Sequence, residues 1–212
     1  VELAEKGMDE IQFDYIRFPT TGGFSRAALA HHGGKKSNEE VIEDFLRRAH
    51  ETLSAKNVRL SIDLFGIVAW DKDVDVHRIG QRIERLAKFC DVISPMLYPS
   101  HFNDNFDGFK KPGDNPYYFI FEGCKKFISL SKPTIIRPWL QAFRWRVSSY
   151  NEKYILEQIR ASDDAGAHGY LFWNASNNYE TVYSALLSLK NASKTEERIS
   201  EKEKNGKGGG TP

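Results

Sequence analysis

The sequence predicts an α/β chain of the (β/α) TIM-barrel type, built from five βα units. Three observations carry that expectation. Five short runs rich in β-branched and aromatic residues alternate with segments of helical period, which implies parallel strands joined by helices. Long polar loops follow the strands, whereas short turns follow the helices. Polar residues collect near the C-terminal ends of all five strand runs, the end at which a barrel assembles its site.

The elements follow in order. V-E-L-A-E-K-G reads as the end of a helix, and the first strand is expected from Glu10 to Phe18. A glycine-rich polar loop runs from Thr20 to Gly34 and contains His31 and His32, read as solvated. Ser37-Asn38-Glu39-Glu40 has the form of a capping box. The helix it opens carries Val41, Ile42, Phe45, Leu46, Ala49 and Leu53 on one stripe. The second strand spans Arg59 to Phe65 and stops at Gly66. A loop with Trp70, Asp71, Asp73 and Asp75 leads to a helix whose apolar face is Ile79, Ile83, Leu86 and Ala87. The three aspartates lack the glycine and distal glutamate of a calcium loop.

The third strand is expected from Asp91 to Tyr98, interrupted by Pro95. After a long loop, Asn115-Pro116 begins a helix, with proline where its missing N–H is harmless. Phe119, Cys124, Phe127 and Ile128 are its candidate core residues. The fourth strand runs from Thr134 to Leu140. Asn151 caps a helix with Tyr154, Ile155 and Ile159 inside and Gly166 at its end. The fifth strand is Gly169 to Trp173, and a last helix covers about Tyr179 to Leu189. The expected organisation is one barrel-type domain over residues 1–190 and a polar tail over 191–212, too poor in apolar groups to offset its ordering entropy.

Composition narrows the function. The chain has 212 residues, 40% of them hydrophobic, enough for one sizeable core. A net charge of +1 gives no field suited to nucleic acid or an anionic membrane. No apolar run approaches the roughly 18 residues a membrane span requires. Two cysteines, Cys90 and Cys124, are read as buried thiols, since two make neither a disulfide framework nor a zinc site. There is no G-x-G-x-x-G after a strand, no P-loop and no metal-hydrolase ligand set, so no cofactor is expected.

Alternation along each strand groups the polar residues by face. Gln12, Asp14 and Ile16 share one face; so do Ser61, Asp63 and Phe65; so do Ser94, Met96 and Tyr98; and so do Arg137, Trp139 and Gln141. With those faces turned inward, the mouth holds two carboxylates, an arginine, a tyrosine and two tryptophans, counting Trp173. Apolar sugar C–H faces pack on tryptophan, and paired carboxylates serve glycoside hydrolysis.

The segments F-D-Y-I-R-F-P, S-I-D-L-F-G, I-S-P-M-L-Y-P-S-H-F, I-R-P-W-L-Q-A-F and G-Y-L-F-W-N-A-S-N occur in this order. Together they resemble a bacterial family of glycoside hydrolase domains with a (β/α)8 barrel, over nearly all of Val1 to about Leu189. The resemblance implies that the five strands correspond to strands 4 to 8, with the first three supplied by an upstream part of the natural protein or by a partner chain. Without them the open edges would favour instability or association. It also implies a carbohydrate substrate and an exported or envelope-associated protein.

The candidate catalytic residues are Asp14 and Asp63. The candidate substrate-binding residues are Arg17, Tyr98, His101, Arg137, Trp139, Gln141, Trp173 and Asn174. Each has a rival reading. Asp14 would otherwise be an ion-pair partner of Arg17 or Arg137, Asp63 a buried hydrogen-bonding residue, and the tryptophans core. Two rival functions accompany these: a carbohydrate-binding barrel without activity, favoured by the lack of glutamate at the strand ends, and a barrel enzyme acting on an anionic non-sugar substrate.

Overall fold

Strand β2 (Arg59–Phe65) shows how the sheet divides its two faces. Leu60, Ile62 and Leu64 are fully buried in the hydrophobic core beneath the helices. Ser61 and Asp63, which alternate with them, are also buried but lie on the polar side. The apolar face holds the helices on, and the polar face is left for the site. A computed structural model describes residues 1–19, 36–70 and 73–192.

A short helix α1 (Glu2–Glu5) precedes strand β1 (Glu10–Phe13). Helix α2 (Asn38–Ser54) begins at the expected capping box, with Ser37 Oγ accepting from the Glu40 amide and Glu40 reaching back to the Ser37 amide. Then come β2, a 3-10 turn (Gly66–Trp70), α3 (Asp73–Ile79), α4 (Ile83–Leu86) and β3 (Val92–Met96). Helix α5 (Pro116–Ser131) leads to β4 (Ile135–Ile136) and β5 (Trp139–Gln141), two pieces of the expected fourth strand. Helix α6 (Glu152–Ala165) is capped by Asn151 and stops at Gly166, whose φ of 84° is the left-handed region glycine tolerates. Strand β6 (Leu171–Trp173) and a helix α7 over 180–192 follow.

All pairings are parallel, in the order β1-β2-β3-β5-β6, with β4 also on β3. Sequential order without a reversal is the winding of a barrel and not of a doubly wound sheet. The sheet curves into a half-barrel, and one ion pair displays the curvature. Arg137, just after β4, contacts Glu10 at the start of β1. With neighbouring strands about 4.8 Å apart, a flat sheet would separate these residues by about 14 Å.

Several expectations are corrected. The first strand ends at Phe13, not Phe18. Tyr15 takes a φ of 55°, and the Arg17 amide donates to Tyr15 O at 2.8 Å, so the chain turns sharply. The single helix expected over Ile79–Ala87 is two short helices. Gly80 breaks it with a φ of 77°, and a Cβ there would sit 2.7 Å from Asn38 O. The fourth strand is split at Arg137-Pro138, where proline has no N–H for the ladder. Phe45, placed on the core stripe, is 42% exposed, although its ring meets Phe13 edge-on. Residues 191 and 192 are still helical, and the rest of the expected tail lies outside the described residues, as do His31, His32 and Asp71. Cys90 and Cys124 are buried free thiols.

The long loop after β3 is anchored by aromatic packing. Trp70, Phe102, Phe106 and Phe119 form a contiguous cluster. Asp107 accepts from both Trp70 Nε1 at 2.7 Å and the Tyr118 hydroxyl at 3.0 Å.

Candidate active site

A cleft of about 500 Å³ opens at the C-terminal ends of the strands. Asp14, Asp63, Arg17, Tyr98, Trp139 and Trp173 all line it, together with His101. Seven of the ten candidate residues therefore converge in one place.

Asp63 is the organising residue. It is 4% exposed, and its Oδ1 accepts from Gln12 Nε2 at 2.6 Å and from Trp139 Nε1 at 3.0 Å. Those donors stand on β1 and β5, so three strands fix one carboxylate. Burial pushes its pKa up to about 6; the Asp14 charge adds to the rise, while the Trp139 and Gln12 hydrogen bonds and Arg137 oppose it. Both donors address the same oxygen, Oδ1.

Asp14 stands just past the end of β1 and is exposed. Its Oδ1 accepts from the Tyr15 amide at 2.7 Å. Among the described residues no ion pair joins Asp14 to Arg17 or Arg137. Arg137 pairs with Glu10, and Arg17 stacks its guanidinium on Phe65 at 4.4 Å and donates to Phe18 O at 3.2 Å.

The aromatic residues form the walls. Trp173 is 46% exposed and meets Trp139 edge-to-face, with ring centroids 6.3 Å apart. Tyr98 is buried, and its hydroxyl pKa is raised by burial and then by the Asp63 and Asp14 charges. The His101 ring packs against Tyr98, Phe143 and Trp145. Its pKa is lowered by that desolvation and then by Arg146.

Three candidates have other partners. Gln141 is fully buried: its Oε1 accepts from the Ser100 amide at 3.1 Å, and its Nε2 donates to Phe143 O at 2.9 Å. Asn174 Nδ2 donates to Ala142 O, and its Oδ1 accepts from the Ser176 amide. Arg137 sits deeper, at the Glu10 pair. These residues hold the loops and the barrel floor. Among the lining residues the sequence did not single out are Tyr15, Phe65 and Gly66. A Cβ on Gly66 would lie 2.7 Å from Met96 O, so the wall is closely packed there. Gln12 was assigned to the inward face but not to the site; its place on that face two residues before Asp14 was the available signal. Among the described residues no group of three or more His, Cys, Asp or Glu could hold a metal. Likewise, no described helix is long and apolar enough to cross a membrane.

A parallel half-barrel with carboxylates and tryptophans gathered at its strand ends is the arrangement of a (β/α)-barrel protein with its cleft at the barrel mouth. The profile of a family described as "Putative glycosyl hydrolase domain" matches residues 1–179, and the chain belongs to that family. No curated protein matches the chain. The spore cortex-lytic enzyme SleL of Bacillus megaterium QM B1551 is similar in fold, with a TM-score of 0.54 at 11% identity over 82% of this chain and 47% of its own. The chain thus spans under half the length of SleL. Bee venom hyaluronidase aligns at 12% identity over 85% of this chain and 68% of its own, with a TM-score of 0.40. Its complex with a hyaluronic acid tetramer aligns at 13% identity over 87% and 66%, with a TM-score of 0.44.

Proposed function

We propose that the domain hydrolyses glycosidic bonds in a polysaccharide or cell-envelope glycan, with Asp63 as general acid and Asp14 as the second carboxylate. The observation that carries the reading is Asp63, whose burial lifts its pKa to about 6 inside a tryptophan-lined cleft. A carboxyl of that acidity keeps its proton close to neutrality and can deliver it to the departing glycosidic oxygen. Asp14 faces the positive charge that grows at the anomeric carbon, either bonding to it or directing water at it. A carboxyl separation of about 5 Å would give retention of configuration and about 6.5–9.5 Å inversion. Trp173 offers the exposed apolar face for the ring, and Gln12 and Trp139 keep Asp63 oriented.

In this reading the described strands, with β4 and β5 counted as one, are the fourth to eighth of an eight-strand barrel. The half-exposed edge strands support it: no residue of β1 is buried, whereas Leu60 through Leu64 of β2 all are.

A second reading is a sugar-binding barrel without activity. Among the described residues no glutamate lines the cleft, and Asp63 is already held by two donors, which favours it. Oligosaccharide cleavage by wild type and Asp14→Asn separates the two. We expect reducing ends to appear with wild type and not with the variant. Equal cleavage by both removes Asp14 from the mechanism, and binding without cleavage by either supports the second reading.

A further inference from the structure

Trp145 lies outside the cleft but adjoins it. Its ring centroid is 5.0 Å from that of His101, which lines the cleft. It is 52% exposed, comparable with Trp173 at 46%. A lone exposed tryptophan needs no explanation. This one is held in place by its surroundings, and that is the informative feature.

The segment that carries Trp145 is tied down on several sides. The buried Gln141 amide donates to Phe143 O at 2.9 Å and more distantly to Trp145 O at 3.5 Å. Arg146 Nη1 donates to Ser100 O at 3.2 Å, and the same guanidinium pairs with Asp104. That guanidinium also stands 5.4 Å from the Trp145 ring centroid. Ser148 donates from both its amide and its hydroxyl to Asp114, each at 2.7 Å. At Gly113 an added Cβ would fall 2.3 Å from Arg146 O, so the loop before α5 and this one are packed backbone to backbone. Holding a large apolar ring rigid and half in water forgoes the burial it would otherwise gain. It does lower the entropy lost when a ligand packs on the ring.

We propose that Trp145 is the platform of a further sugar subsite, so that the cleft binds a glycan of several units running from Trp173 past His101 onto Trp145. The proposal rests on the glycan reading of the cleft and adds to it the chain length of the ligand. A site of this kind takes internal stretches of a polymer. The pinned loop supplies a preformed apolar face, and Arg146 beside it supplies N–H groups for ring hydroxyls.

The test is titration calorimetry on wild type, Trp145→Ala and Trp145→Phe. The ligands are disaccharides and hexasaccharides of glucose, N-acetylglucosamine and galactose. Trp145 is exposed, so both variants should fold, and Trp145→Phe keeps an aromatic face. The subsite predicts that the ratio of hexasaccharide to disaccharide affinity falls about tenfold in Trp145→Ala, the size of one aromatic contact, and recovers largely in Trp145→Phe. A ratio unchanged in Trp145→Ala overturns the subsite and leaves the glycan reading of the cleft standing. No binding of any of these sugars by wild type overturns both.

Discussion

The ends of β1 and β2 each present an aspartate to the same cleft, and the two are held in opposite ways. Asp63 sits within its strand, buried between β1 and β3, and takes hydrogen bonds from two flanking side chains. Asp14 lies one residue beyond its strand, exposed, where the chain turns through the left-handed Tyr15. The same functional group therefore meets two dielectric environments. Desolvation favours the neutral form, and at Asp63 it lifts the pKa to about 6. Identical side chains thus meet different surroundings, Asp63 two residues before the end of its strand and Asp14 one residue past the end of its own.

The largest expected effect is at the buried end. The native pKa of Asp63 lies above that of an unfolded aspartate. The folded state therefore keeps a proton that the unfolded chain gives up over the interval between them. Stability falls as pH rises through that interval, by about 3 kcal/mol in all for a pKa moved from 3.8 to about 6. Asp63→Asn cannot ionise and keeps an oxygen for Gln12 and Trp139. Urea unfolding should find it more stable than wild type by up to about 3 kcal/mol near pH 8 and equal to it near pH 4. Its hydrolytic rate should drop by a factor of about 10² to 10⁴.

Next in size is the packing that seals β2. Gly66→Ala forces a methyl against Met96 O, which should cost about 2 kcal/mol in thermal or urea unfolding. A change under about 0.5 kcal/mol would mean that the wall yields.

Smaller effects separate the two ends electrostatically. Trp139→Phe removes a donor that lowers the Asp63 pKa, so the titration midpoint should move up. Asp14→Asn removes a charge that raises it, so the midpoint should move down. Asp14 is exposed, and its loss should alter stability by no more than about 0.5 kcal/mol. A stability loss of several kcal/mol in Asp14→Asn would place that residue in a structural role.

Much of the fold was legible because local signals and burial agreed. The capping box at Ser37, the seven residues of β2 and the Asn151-to-Gly166 helix all combine periodicity with end signals. The elements that escaped depend on backbone conformation and on distant neighbours. Nothing in F-D-Y-I-R-F-P announces a left-handed Tyr15, since tyrosine rarely adopts that region. Gly80 could be read as a tolerated glycine until Asn38 is seen against it. For the site, strand alternation brought Asp63 and Trp139 to one face correctly. It also placed Gln141 there, but alternation cannot reveal that loops close over the strand end and engage its amide. Asn174 escaped for the same reason. Trp145 carried no strand-end signal at all, because its position comes from a loop fixed by Gln141 and Arg146.

The central claim is that Asp63 holds a proton where Asp14 is solvated, and carboxyl carbon-13 NMR titration tests it without any substrate. With resonances assigned through Asp63→Asn, the account predicts a midpoint near 6 for Asp63 that moves down in Asp14→Asn. A midpoint for Asp63 in the ordinary aspartate range, about 4, would contradict it.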